Sequence, residues 1–137
     1  MTRKRVLVAV SEEEERAGIQ AELVSDFFDP ENVEVVVHHN FTDNPEGATV
    51  GQVAAVRRAE ERLDEEGFDV SLCETSGKSS STAILDAAAD RDADLICIFA
   101  RRRSPTGKVL FGSVAQDVIL SSSRPILIAP QAGFGNG

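Results

Sequence analysis

Five short apolar runs alternate with segments of helical periodicity, and this alternation leaves the chain very few folds to choose from. The runs are Arg5 to Val10, Val33 to His39, Phe68 to Glu74, Asp94 to Phe99 and Pro125 to Ala129. They are rich in valine and isoleucine and mostly continuous, the pattern of parallel strands covered on both faces. The order β-α-β-α-β-α-β-α-β predicts an α/β fold: a doubly wound, five-stranded parallel sheet with helices on both faces. Sheets of this kind take ligands beyond the carboxyl ends of their strands, where the strand order reverses.

The intervening segments carry helix signals. Ser11 and Glu14 have capping-box spacing, Glu12 to Glu15 favour the positive end of a helix dipole, and Ile19, Leu23 and Phe27 repeat every four residues. A second helix is predicted from Val50 to Glu66, with Val53, Val56, Ala59 and Leu63 inward and Gly67 as its stop. The third begins at Ser79-Ser80-Ser81 and buries Ile84, Leu85 and Ala88. The fourth begins at Gly112-Ser113 and buries Val114, Val118 and Ile119. No linker or repeat divides the chain, so residues 1–130 read as one domain and 131–137 as a frayed tail.

Composition narrows the partners. A net charge of −9 opposes non-specific nucleic-acid binding, because the overall field repels phosphate backbones. No apolar run approaches the ~20 residues needed to span a bilayer, and Val6 to Val10 is too short for a signal peptide. The expectation is a cytoplasmic protein without nucleic-acid or membrane partners. Of the 14 basic residues only Lys4, Lys78 and Lys108 are lysines, and an acidic, lysine-poor surface suits a halophilic setting. Cys73 and Cys97 fall in strand-like runs and read as small buried apolar groups.

Several chemical motifs fail on inspection. Gly77-Lys78-Ser79 lacks the glycine that a P-loop needs five residues earlier, where Leu72 stands. Gly107-Lys108 has Arg102 at that place and Val109 after the lysine. His38 and His39 must face opposite sides of the sheet and join no metal-spaced cluster, although His38 could titrate near neutrality. Glu12 to Glu15 are placed like a receiver domain's acidic cluster, but the third strand ends Leu72-Cys73-Glu74-Thr75 with no aspartate acceptor. They read as a solvated helix start. What remains is the segment after the fourth strand. Arg101-Arg102-Arg103, Gly107 and Lys108 precede a helix that opens on Gly112-Ser113, the layout of an anion site. The arginines fit a solvated loop, surface ion pairs or a phosphate clamp.

Gly112-Ser113-Val114-Ala115-Gln116-Asp117-Val118 and the closing Arg124-Pro125-Ile126-Leu127-Ile128 resemble the universal stress protein family. The resemblance extends from Val6 to Ile128, and His38 stands where the family's second strand commonly carries a histidine. It implies an adenine nucleotide alpha hydrolase-like sheet of order 3-2-1-4-5, a homodimer paired through the Pro125 to Ala129 strand, and a stress-response role. In that order Cys73 and Cys97 stand ~14 Å apart, beyond disulfide reach.

ATP-binding members share Gly, two residues, Gly, nine residues, then Gly-Ser or Gly-Thr, and an aspartate after the first strand. Here Gly112 and Ser113 match the end of that pattern. Phe99 and Arg102, or Ala100 and Arg103 with a one-residue deletion, occupy the earlier glycine positions, and Ser11 occupies that of the aspartate. The implied ligand is ATP or another adenine nucleotide, or a small phosphate-bearing anion. Gly112, Ser113 and Val114 at the helix start would meet the phosphate, with Ala100, Arg101, Arg102, Arg103, Gly107 and Lys108 around it. Ala9, Val10 and Ser11 would border the other side, near Val37 and His38. No nucleophile–base pair stands out, so a binding module without catalysis is expected. The alternative is a ligand-free dimer acting through protein–protein contacts.

Overall fold

The computed structural model describes residues 3–42, 47–100 and 111–130. The elements follow as β1 (Lys4–Val10), α1 (Glu14–Phe27), β2 (Val33–Phe41), a 3-10 turn (Val50–Gln52), α2 (Ala54–Glu65), β3 (Val70–Ser76), α3 (Ser80–Asp90), β4 (Leu95–Ala100), α4 (Ser113–Ser121) and β5 (Ile126–Pro130). All strand pairs are parallel and the order is β3-β2-β1-β4-β5, as the alternation and the resemblance implied.

Strand alternation divides the core in two. Val6, Val8, Val35 and Val37 point to the face covered by α1 and α2, where Ala17, Ala21, Val56, Ala59 and Leu63 meet them. Leu7, Val36, Ile96 and Ile98 point to the other face, under Ile84 and Ala88 of α3 and Ala115 and Val118 of α4. Cys97 lies in the first core and Cys73 in the second, both as free thiols.

Helix bounds and faces differ from the periodicity in informative ways. α1 starts at Glu14, not Ser11; the Ser11 hydroxyl instead accepts from the Glu13 N–H at 3.3 Å in the turn before it. Its inner face is Ala17, Gln20, Ala21, Leu23 and Val24, while Phe27 is 65% exposed. Alanines set this rotation, because Ala17 and Ala21 are fully buried and let the helix approach the sheet closely. The predicted second helix is split: Val53 caps α2 after the 3-10 turn, whose Thr49 N–H donates to Gln52 Oε1 at 2.8 Å.

Two helices end on the same device. After α2, Gly67 sits at φ +89°, Phe68 N–H donates to Leu63 O at 3.1 Å and Gly67 N–H to Asp64 O at 3.0 Å. After α3, Asp92 sits at φ 53°, Ala93 N–H donates to Ala88 O at 2.9 Å and Asp92 N–H to Ala89 O at 3.2 Å. Both are Schellman closures, with a residue in left-handed conformation just past the helix. Gly67 matches its role as a stop signal; Asp92 carries no such signal.

Candidate functional site at the carboxyl edge of the sheet

The strand registers open a crevice. β1 pairs with β2 as far as Val10↔His39, and β4 pairs with β5 as far as Ala100↔Pro130. Between β1 and β4, however, pairing stops at Val8↔Cys97. The two central strands part at the switch point, because β1 turns into a helix on one face and β4 leads to a helix on the other. A cavity of about 450 Å³ lies at this fork.

Gln20 bridges the fork. Its side-chain Nε2 donates to Ala9 O at 2.8 Å and to Cys97 O at 3.3 Å. Both partners are carbonyls and can only accept, so the amide orientation is forced. One side-chain nitrogen thus serves backbone acceptors on both strands where the ladder ends. Burial pushes the pKa of the Cys97 thiol up to about 12, against a smaller opposing effect of the Gln20 side chain.

β2 delivers both histidines to the cleft, one on each face of the sheet. His39 donates from Nδ1 to Val10 O at 3.1 Å, and its ring meets Phe41 edge-on at 4.8 Å and 83°. His38 starts a relay with forced directions. Asn40 Nδ2 donates to Lys78 O at 3.2 Å, so Asn40 Oδ1 faces Thr75 and accepts its hydroxyl proton at 2.9 Å. With that proton committed, Thr75 Oγ1 accepts from His38 Nε2–H at 2.9 Å. His38 is therefore the neutral Nε2–H tautomer, with a lone pair on Nδ1. Burial, then His39, then Arg91 lower its pKa to about 4, so it does not titrate near neutrality as the sequence suggested.

α1 supplies the mouth. Glu12, Glu13 and Arg16 line the cleft; Arg16 Nε bonds Glu13 Oε2 at 2.6 Å and its guanidinium lies 5.1 Å from the Phe99 ring centroid. The opposite wall is the first turn of α4. Gly112 is its N-cap without a side-chain hydrogen bond, and Gln116 N–H is the one that reaches Gly112 O, at 2.9 Å. The amides of Ser113, Val114 and Ala115 precede that first intrahelical bond.

Of the residues expected to form the site, Ala9, Val10, Ser11 and Val114 line the cleft, and Gly112 and Ser113 head the helix that closes it. Val114, expected both in the core and at the phosphate, is 40% exposed at the cleft; Val118 is buried as expected, and Ala115 takes the other buried position beside Ile96 and Ile98. Val37 is fully buried in the α1–α2 core and Ala100 is buried beside Pro130, so neither lines the cleft. Arg101, Arg102, Arg103, Gly107 and Lys108 lie outside the described residues, as does the tail at 131–137. Gln20 and Arg16 were not foreseen, and Phe99 was singled out only as standing at a glycine position of the ATP-binding pattern. A signal existed for Gln20, the one polar residue on a face otherwise made of Ala17, Ala21, Leu23 and Val24.

The model of the "Universal stress protein family" matches residues 2–130. The chain belongs to the universal stress protein family. A universal stress protein of Mycolicibacterium smegmatis is 34% identical over 79 residues, which make up 58% of this chain and 61% of that relative's length. The structure of a universal stress protein from Archaeoglobus fulgidus superposes with a TM-score of 0.74 at 30% identity, covering 93% of this chain and 98% of the other. A universal stress protein from the same organism, in complex with dAMP, superposes with a TM-score of 0.69 at 25% identity over 93% and 98% of the two chains. The fold of this universal stress protein family member is thus that of a known architecture. Its Gln20 bridge and His38 relay are read from its own residues.

Proposed function

We propose that this universal stress protein family member is a cytoplasmic, dimeric stress-response module that binds an adenine nucleotide, or another phosphate-bearing anion, without catalysing a reaction on it. The observation that carries this reading is the cleft of about 450 Å³ at the β1–β4 fork, which has the size of a small-ligand site. The dAMP complex of the related Archaeoglobus fulgidus protein supports an adenine nucleotide as the occupant.

The residues fit such a ligand at both ends. The first turn of α4 offers backbone N–H groups to a phosphate, reinforced by the helix dipole. Among the described residues no atom lies within 4 Å of where a Cβ on Gly112 would stand, so they leave its backbone open to approach. Neutral His38 and the amide of Gln20 give the inner end a polar but uncharged character suited to a base or sugar. Ser11 brings a hydroxyl to the place where ATP-binding relatives are expected to hold aspartate, which favours a ligand held by phosphate and base contacts. Each imidazole commits its N–H to a structural bond, His38 to Thr75 and His39 to Val10, which supports a structural part for both rings in a binding module.

Dimerisation through β5 is part of the same reading. In the described sheet β5 pairs on one side, with β4, and Ile126, Leu127 and Ile128 are half-buried. A second reading, a ligand-free dimer acting through protein contacts, is favoured by apolar exposure around α4: Leu120 at 75% and Phe111 at 39%.

Calorimetric titration of the purified protein with AMP, ATP and inorganic phosphate, with and without Mg2+, at low and high salt, tests the choice. Nucleotide binding with a rise in melting temperature is expected. Absence of heat and of any melting shift at millimolar ligand refutes the nucleotide reading and leaves the protein-contact one. Release of hydrolysis products would refute the absence of catalysis.

A further inference from the structure

Arg16 is the one lysine or arginine among the described residues that line the cleft, and it stands beside two carboxylates, Glu12 and Glu13. Its position is unfavourable by local rules. α1 opens at Glu14, so Arg16 falls in the first turn, where the helix dipole favours the acidic Glu14 and Glu15 and opposes a cation. Two contacts hold it there. The Phe99 ring centroid lies 5.1 Å from the guanidinium carbon, and Glu13 Oε2 lies 2.6 Å from Nε. Glu13 is a weak holder, because its side chain is 56% exposed and a solvated i,i+3 pair contributes little. The Arg16 side chain keeps 22% of its own surface accessible at the cleft. A cation set against the dipole, stacked on an aromatic ring and loosely paired breaks local preference at a site, where such exceptions serve binding.

We propose that Arg16 takes the ligand's phosphate from the α1 side of the cleft, and that Glu13 stands in for that phosphate until the ligand arrives. Binding exchanges the Glu13 carboxylate for the phosphate at the guanidinium, while Phe99 keeps the guanidinium in place. This rests on the reading of the cleft as a site for a phosphate-bearing ligand. Placement agrees with it: Val114 and Ala115 of the first turn of α4 line the same cavity as Arg16, so a phosphate at the α4 amides meets a cation across the cleft. The exchange runs in the ligand's favour. A phosphate brings more charge than a carboxylate and accepts two parallel guanidinium bonds, and the released Glu13 returns to water. Without Arg16 the described mouth holds only the carboxylates of Glu12 and Glu13, which repel a phosphate.

The test measures AMP and adenosine affinity in the parent, in Arg16→Gln, in Glu13→Gln and in the double variant. Arg16→Gln is expected to weaken AMP about tenfold and leave adenosine unchanged. Glu13→Gln is expected to strengthen AMP by about threefold, and this gain should vanish in the double variant. AMP affinity unaltered in Arg16→Gln, or adenosine weakened equally, overturns the proposal and leaves the nucleotide reading standing. Weaker AMP binding in Glu13→Gln, or a gain that persists in the double variant, overturns the exchange. Failure of the parent to bind either compound overturns the nucleotide reading as well. A second measurement uses the unaltered protein, free of any effect on folding. The Arg16 Nε–H resonance is expected to move on adding AMP or inorganic phosphate and to stay in place with adenosine. A resonance unmoved by saturating AMP overturns the proposal.

Discussion

Gln20 and Ala9 are joined by a side-chain hydrogen bond of 2.8 Å at the point where β1 and β4 separate. The same nitrogen reaches Cys97 O at 3.3 Å, so a residue of α1 completes the hydrogen bonding of both strands just below the cleft. At the open fork these two backbone acceptors are served by a side chain in place of N–H groups of the neighbouring strand. This links one residue's chemistry to the existence of the site.

Replacing Gln20 should therefore cost more than an ordinary core change. Gln20→Leu leaves the Ala9 and Cys97 carbonyls without this donor, and a loss of about 2–3 kcal/mol is expected in urea unfolding. Gln20→Glu, nearly identical in shape, places an acceptor against two acceptors and should be the more damaging of the two at neutral pH. A Gln20→Glu protein as stable as the parent would show that the bridge is not what holds the fork.

Stability should fall in acid through His38. The group's pKa is about 6.5 when unfolded and about 4 when folded, because burial opposes the charged ring. The unfolded chain therefore takes up a proton first as the pH drops. This contribution is fully present above about pH 6.5 and is lost progressively down to about pH 4, reaching about 3 kcal/mol. Denaturant midpoints measured across this window should decline more steeply for the parent than for His38→Gln, which does not titrate. Parallel declines would show that other groups carry the acid sensitivity.

The paired helix endings predict opposite responses. Gly67→Ala forces a Cβ into the left-handed region at φ +89° and should lower stability by about 1 kcal/mol, even though the nearest atom to that Cβ, Pro30 Cγ, is at an ordinary 3.8 Å. Asp92→Gly removes the same strain from φ 53° and should raise the melting temperature by about 2–4 °C. Calorimetric melting of the two variants checks both signs.

The two thiols should separate kinetically. Cys97 is fully buried with its pKa pushed up to about 12, whereas Cys73 is 8% exposed on the edge strand β3. A thiol reagent should modify Cys73 first and Cys97 at the rate of global unfolding. Early modification of Cys97, mapped by mass spectrometry, would contradict the packing at the fork.

The elements themselves were legible in the order of residues. Continuous runs such as Val33 to Val37 and Leu95 to Phe99 mark strands buried on both faces, and Gly67, Ser79 and Gly112 mark helix boundaries through local backbone chemistry. Local sequence suffices there because strand burial, turn geometry and capping involve neighbours within a few positions. The site was legible only in part. Ser11 and Gly112-Ser113 stand out from their surroundings, but Val37, expected at the cleft, is buried in the core, and Val114, expected both in the core and at the cleft, takes only the cleft position. Which face a residue shows depends on how a helix or strand is rotated against partners far along the chain, and alanines rather than the larger residues set that rotation in α1.

What the sequence determined by itself was the parallel α/β layout, the family resemblance and the helix start that closes the cleft. The tertiary structure alone decided that β1 and β4 part after Val8 and Cys97, that Gln20 spans the gap, and that His38 is neutral with its lone pair on Nδ1. The bonds involved cross from Gln20 to Cys97 and from His38 to Thr75, which lie far apart in the chain. A side chain's protonation and hydrogen-bond direction follow from the partners that folding brings to it, and no local pattern of residues encodes them.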